Sequence, residues 1–271
     1  MNKRELTGAA FSSRTKILKA LCEKSLARNF GFVGNGQETS MARSAFEMTG
    51  LIDLANAVEM PKNKRKHGIN KVIETIQNFI EHAHETSFKV LYDELKGPNL
   101  EIGLREGPIP LYIAYVMRRY RDEIKITRGG EERPFNEIVL DDISKQPESY
   151  ELTRINWTPQ MARYLRELAA LFECDADSAN RNDVTEAIRL WYVELPQVTR
   201  NSRFDHTSNE KQVPIPKTRS AFFKAIRRIE TDSNMFLFEE LPEAFGLEVD
   251  SPGLVSAINE EIGRASCRAR V

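Results

Sequence analysis

A mainly α fold, with helical bundle modules around a small α+β insert, is what this sequence predicts, and three observations predict it. Apolar residues recur at helical spacing along most of the 271 residues, while β-prone runs are confined to the middle of the chain. A composition of 41% hydrophobic and 29% charged residues supplies enough apolar side chains for a sizeable core. The length points to one or two domains.

In chain order, the first stripe is Ile17, Leu18, Leu21 and Cys22. The glycine-rich run NFGFVGNGQETS follows, where Asn35–Gly36 predicts a tight turn into a helix capped by Thr39 or Ser40. Residues 59–68, with Pro61 and KNKRKHG, read as a flexible linker. Ile69, Val72, Ile73, Ile76, Phe79 and Ile80 share one helix face. So do Ile109, Tyr112, Ile113, Val116, Met117 and Tyr120, behind Pro108 and Pro110, where a missing N–H costs little at a helix start. Strands are expected at 124–127, 135–139 and 150–155, with Gly129 and Gly130 supplying the positive φ of a hairpin tip.

Residues 87–156 thus run helix, long helix, strand, turn, strand, short helix, strand, an order that fits a winged-helix-like insert. Beyond it, Thr158 before Pro159 reads as the cap and first residue of a helix carrying Met161, Tyr164, Leu165, Leu168 and Phe172. Asp183 with Glu186 resembles a capping box, and residues 202–217, with Pro214 and Pro216, read as a surface loop. Phe222, Ala225, Ile226 and Ile229 form another stripe. Leu237, Phe238, Leu241 and Phe245 form the last, ending on Gly246 as a C-terminal cap. The expected modules are 1–86, 87–156 and 157–260. Residues 261–271, EIGRASCRARV, resemble a translated sequencing adapter and are expected to lie outside the fold.

Composition weighs against several chemistries. The net charge is −1, and the expected artefact contributes three arginines, so no whole-chain electrostatic grip on nucleic acid is indicated. Cys22 and Cys174 have no CxxC partner, which disfavours zinc and disulfides. His82 and His84 stand two apart, whereas a helical HExxH site needs four, so no metal site is expected. Gly31, Gly34 and Gly36 tempt a phosphate-loop reading, but the Lys-Ser/Thr of GxxxxGK[ST] is missing. No serine or cysteine stands in a nucleophile context, so no catalytic residue is assigned. No apolar run approaches the roughly 18 to 20 residues that span a bilayer, and the polar N-terminus lacks a signal peptide's apolar stretch. A cytoplasmic location without a membrane partner is therefore expected.

Two basic clusters remain. Lys62, Lys64, Arg65 and Lys66 concentrate charge in the linker, and Arg118, Arg119 and Arg121 are expected on the polar side of an amphipathic helix. Both can touch phosphates without reading sequence. The simpler reading is a solvated face offset by acids such as Asp122 and Glu123.

The segment around residues 104–126, with Gly103, Arg105, Gly107 and Pro110 ahead of its apolar helix, resembles a stretch of very large bacterial P-loop ATPases of phage-defence loci, the BREX-type proteins among them. GFVGNGQETSMARSAFEMTGL at 31–51, containing Gly34, Asn35 and Gly36, is similar too. So are LWYVELPQVTRNSR at 190–203 and MFLFEELPEAFGL at 235–247, with Leu241 and Pro242. The resemblance implies a parent that uses ATP and Mg through motifs outside this chain, and no cofactor within it. Its implied partners are the parent's ATPase domain, DNA and other defence-system subunits. Three readings stand: a non-catalytic interaction and coupling module of such an ATPase, a stand-alone winged-helix DNA-binding regulator, and a hydrolase or nuclease whose acids converge only in space.

Overall fold

The structure, a computed structural model, describes residues 7–97, 104–175, 180–202, 204–206, 212–227 and 232–266. The chain divides once, into units 1–156 and 157–271. The fold is mainly helical with small antiparallel sheets.

In the first unit, α1 (Gly8–Cys22) buries Ile17, Leu18 and Leu21. A turn then carries three successive left-handed residues, Asn29, Phe30 and Gly31. Phe30 adopts this costly conformation while buried edge-on against Phe46, their ring centres 5.5 Å apart. Helix α2 (Gln37–Ala42) runs into a π-turn at Arg43–Glu47. Its cap is Gly36, not the expected Thr39 or Ser40, because the backbone turns into the helix a residue before Gln37. A two-residue hairpin, β1 (Ile52–Asp53) with β2 (Val58–Glu59), precedes a 3₁₀ turn at Lys62–Lys64 and α3 (His67–Glu81).

From α3 onward the order is that of a winged helix. β3 (Thr86–Ser87) leads into α4 (Phe88–Lys96) and α5 (Ile109–Met117). Next come β4 (Ile124–Arg128), β5 (Glu131–Arg133), α6 (Glu137–Lys145) and β6 (Glu151–Arg154). The sheet order β3-β6-β4-β5 returns the last strand between the first two, with β5 and α6 inserted in the wing. Gly129 and Gly130, at φ +59° and +84°, form the two-residue hairpin tip with Arg128 opposite Glu131. The strand expected at 135–139 is instead the start of α6, since the Asn136 side chain accepts from the Val139 N–H at 2.9 Å and nucleates a helix there. The expected boundary at residue 86 falls inside this sheet, where Thr86 pairs with Leu152.

Helix α5 is not amphipathic. All nine of its residues are buried, packed among α1, α3 and α6, and it stops at Met117, with Arg118–Tyr120 forming a 3₁₀ turn. A buried ion pair, Arg14 Nη2 to Asp141 Oδ1 at 2.5 Å, ties α1 to α6.

The second unit comprises α7 (Pro159–Leu171), α8 (Arg181–Glu194), α9 (Gln197–Asn201) and α10 (Lys217–Ile226). It continues with α11 (Ser233–Met235), a π-turn at Phe236–Glu240, α12 (Leu241–Phe245) and α13 (Leu254–Ser266). Thr158 caps α7 as expected, accepting from Met161 N–H at 3.2 Å. The capping box of α8 lies one turn earlier than expected: Asn180 is the cap and Asp183 its partner. The expected loop at 202–217 holds a hairpin, β7 (Phe204–His206) with β8 (Gln212–Pro214).

Pro242 has no N–H to donate within the helix, and the π-turn immediately before it absorbs that gap. Gly246, at φ +66°, closes α12: its N–H donates to Glu243 O and that of Leu247 to Pro242 O. Helix α13 extends into the stretch that resembles an adapter, and Glu261 lies buried there, bonded to Arg219 Nε at 2.7 Å. Ile229 lies outside the described residues.

Candidate nucleic-acid interface

Two arginines of the later basic cluster bind one carboxylate, Glu59, which stands just ahead of the earlier cluster in the chain. Glu59, the last residue of β2, accepts from Arg118 Nη1 through Oε1 at 3.0 Å and from Arg119 Nη2 through Oε2. Arg119 Nη2 also donates to the Tyr115 hydroxyl at 2.8 Å, and its guanidinium lies over the Tyr115 ring, 5.0 Å from the centre. The hydroxyl is 3.4 Å from both Leu51 O and Glu59 Oε2. Burial, and then the Glu59 carboxylate, push the Tyr115 phenol above its ordinary value, while Arg119 and Arg65 pull the other way. Arg118 and Arg119 follow the last turn of α5, where cations suit the helix dipole.

The second cluster follows Glu59 directly and is ordered, not flexible. Lys64 N–H donates to Pro61 O, Arg65 N–H to Lys62 O and Lys66 N–H to Thr49 O. Arg65 hooks back onto Met60 O through Nε and Nη2, at 3.3 and 3.1 Å. Gly50, at φ +75°, lies so close beneath the turn that a Cβ there would come within 2.4 Å of Lys64 O. Lys62 pairs with Glu74. The Lys64 and Lys66 side chains are exposed and pair with no carboxylate among the described residues. Glu59 thus holds two arginines directly, and the ordered turn that carries Lys62, Lys64, Arg65 and Lys66 begins within three residues of it.

Arg121 does not join them. It acts instead on Cys22 of α1, whose thiol burial pushes up to about 12 against the pull of that guanidinium. Arg105 is exposed and unpaired among the described residues, Gly107 adopts no left-handed conformation, and Gly103 lies outside the described residues. Pro110, Leu241 and Pro242 are buried, so their part is in packing. Gly34 takes φ +84°, and Asn35 is exposed beside it. Glu38 folds its carboxylate over Gly36, a poor setting for an anion.

A second concavity of about 660 Å³ lies between α1, α6 and the wing, lined by Phe11, Arg128, Arg133, Ile138, Asp142 and Lys145 among others. Its cations are matched: Arg128 with Asp142 at 2.8 Å, Lys145 with Asp141 at 2.9 Å, and Arg133 with Glu131. Among the described residues no three His, Cys, Asp or Glu side chains converge as a metal site, and no helix is long and apolar enough to cross a membrane.

Sequence signalled the cationic residues but not Glu59 or Tyr115, whose parts depend on a meeting of segments that no local pattern encodes. No protein-family model, curated protein or solved structure matches this chain.

Proposed function

We propose that the chain is a non-catalytic interaction module that grips the DNA backbone through the ordered basic turn at Lys62, Lys64 and Lys66, without reading base sequence. One observation carries this: an ordered basic turn follows directly on Glu59, the carboxylate that binds Arg118 and Arg119, while α5, which stands where a winged helix keeps its reading helix, is buried along its whole length. A buried helix cannot enter a groove, so recognition is left to side chains that meet phosphates. That argument favours the interaction module over a sequence-reading regulator.

Membership of a larger defence-type ATPase, with its ATPase domain and other subunits as partners and with ATP and Mg bound elsewhere, is the further part of the proposal. It is supported by the resembling segments at 31–51, 104–126, 190–203 and 235–247. A contiguous upstream reading frame carrying GxxxxGK[ST] is the test of that part.

For DNA binding, fluorescence anisotropy with labelled duplexes of unrelated sequence is the test. Affinity is expected to be alike across sequences. Replacing Lys62, Lys64 and Lys66 together by alanine should flatten the slope of log affinity against log salt by about 0.9 for each phosphate that is no longer neutralised. Binding that ignores both salt and the lysines would sink the reading.

A further inference from the structure

We infer that Glu59 occupies the seat of a DNA phosphate, its carboxylate being an internal stand-in that a backbone phosphodiester displaces from Arg118 and Arg119. This rests on the DNA-binding reading above and adds where one phosphate binds and what holds that binding in check.

The geometry of the seat is that of an anion with two oxygens. Oε1 of Glu59 takes Arg118 Nη1 at 3.0 Å, and Oε2 takes Arg119 Nη2. A phosphodiester presents two non-bridging oxygens and the same single charge, so it satisfies the same donors. The donors are fixed in advance: the Arg118 side chain is only 12% exposed, and Arg119 is held by the hydroxyl and ring of Tyr115.

Glu59 is the part that can leave. It ends a hairpin of two-residue strands whose turn holds Ala57 at φ +56°, and its side chain is 28% exposed, so the freed carboxylate has water to enter. Exchange of one anion for another keeps the two partly enclosed guanidiniums compensated, which simple withdrawal of Glu59 would not. The lysines of the adjoining turn lie next along the chain, where neighbouring phosphates of the same backbone would meet them. While Glu59 stays seated, the arginines add nothing to DNA affinity and the lysines bear it alone.

The experiment uses the full chain and a labelled duplex of arbitrary sequence, with anisotropy titrations over a range of salt. Glu59→Gln is expected to bind about tenfold tighter than the parent and to steepen the salt slope by about 0.9, as one more phosphate is neutralised. Adding Arg118→Gln and Arg119→Gln to that variant should return both quantities to the parent values. Glu59→Asp keeps the charge but withdraws it by one methylene, and a smaller shift in the same direction is expected; it carries the test if circular dichroism shows Glu59→Gln misfolded. At matched ionic strength, inorganic phosphate should not displace the duplex, and displacement would assign the seat to free phosphate instead. Lysine-dependent binding by the parent, with Glu59→Gln and Glu59→Asp unchanged or weaker, overturns the seat and leaves the DNA-binding reading intact. No duplex binding by any form overturns both.

Discussion

Gly50 shows how one residue with no side chain can govern a surface it does not belong to. Its φ of +75° and the nearness of Lys64 O leave no room for a Cβ. Gly50→Ala is therefore expected to cost about 2–4 kcal/mol, from backbone strain and overpacking together. It should also weaken duplex binding by shifting the lysine turn; urea denaturation and anisotropy on one preparation check both effects. Buried phenols supply a second prediction. Burial holds Tyr92 and Tyr164 above the ordinary value of 10.0. In the unfolded chain they ionise near 10, so the folded form retains protons that the unfolded form has lost. Their contribution is complete below about pH 10 and falls as pH rises toward the folded values. Urea denaturation at about pH 9 and about pH 11, on either side of that threshold, should show the loss, and replacing both tyrosines by phenylalanine should reduce it. At this scale sequence was partly legible. Gly129 and Gly130 announced a hairpin tip, and Gly246 a helix end, because their conformations are local properties. Nothing local marked Gly50, whose constraint comes from a chain segment fourteen residues away.

Elements were read well where burial was one-sided. The faces of α1, α3 and α7 lie in the core as their spacing required. Two departures have separate causes. In α6, the run Ile138-Val139-Leu140 looks β-prone, but the Asn136 cap and Glu137 in the first turn favour a helix, and packing on α1 selects it. In α5, burial on every side erases the period from which a polar face is inferred, and the arginines assigned to that face stand in the turn after it. The link between α1 and α6 yields a prediction at this scale. Asp141→Ala would leave Arg14 in the interior without its carboxylate, at a cost of about 3–5 kcal/mol. A paired Arg14→Met, Asp141→Leu variant is expected to lose much less. Chemical denaturation of the two variants decides it; equal losses would mean that packing, and not charge, sets the cost.

At the scale of the molecule, the two units carry separate cores, one from Ile17 to Leu152 and one from Tyr164 to Ala265. Residues 1–156 alone are therefore expected to melt cooperatively with helical circular dichroism. They should also keep the duplex affinity of the whole chain within about threefold, because every residue of the basic surface lies there. A non-cooperative melt would show that the first unit depends on the second. Sequence by itself determined that the chain is mainly helical, that a hairpin turns at Gly129–Gly130 in its middle, and that it carries two basic clusters, since periodicity, turn residues and charge are written in neighbouring positions; the short hairpins at 52–59 and 204–214 it did not announce. Tertiary structure alone decided that Arg118 and Arg119 meet Glu59, just ahead of the basic turn, and that α5 is enclosed on every side. Those outcomes join segments tens of residues apart, and they are set by how the apolar faces of the helices pack together in the core.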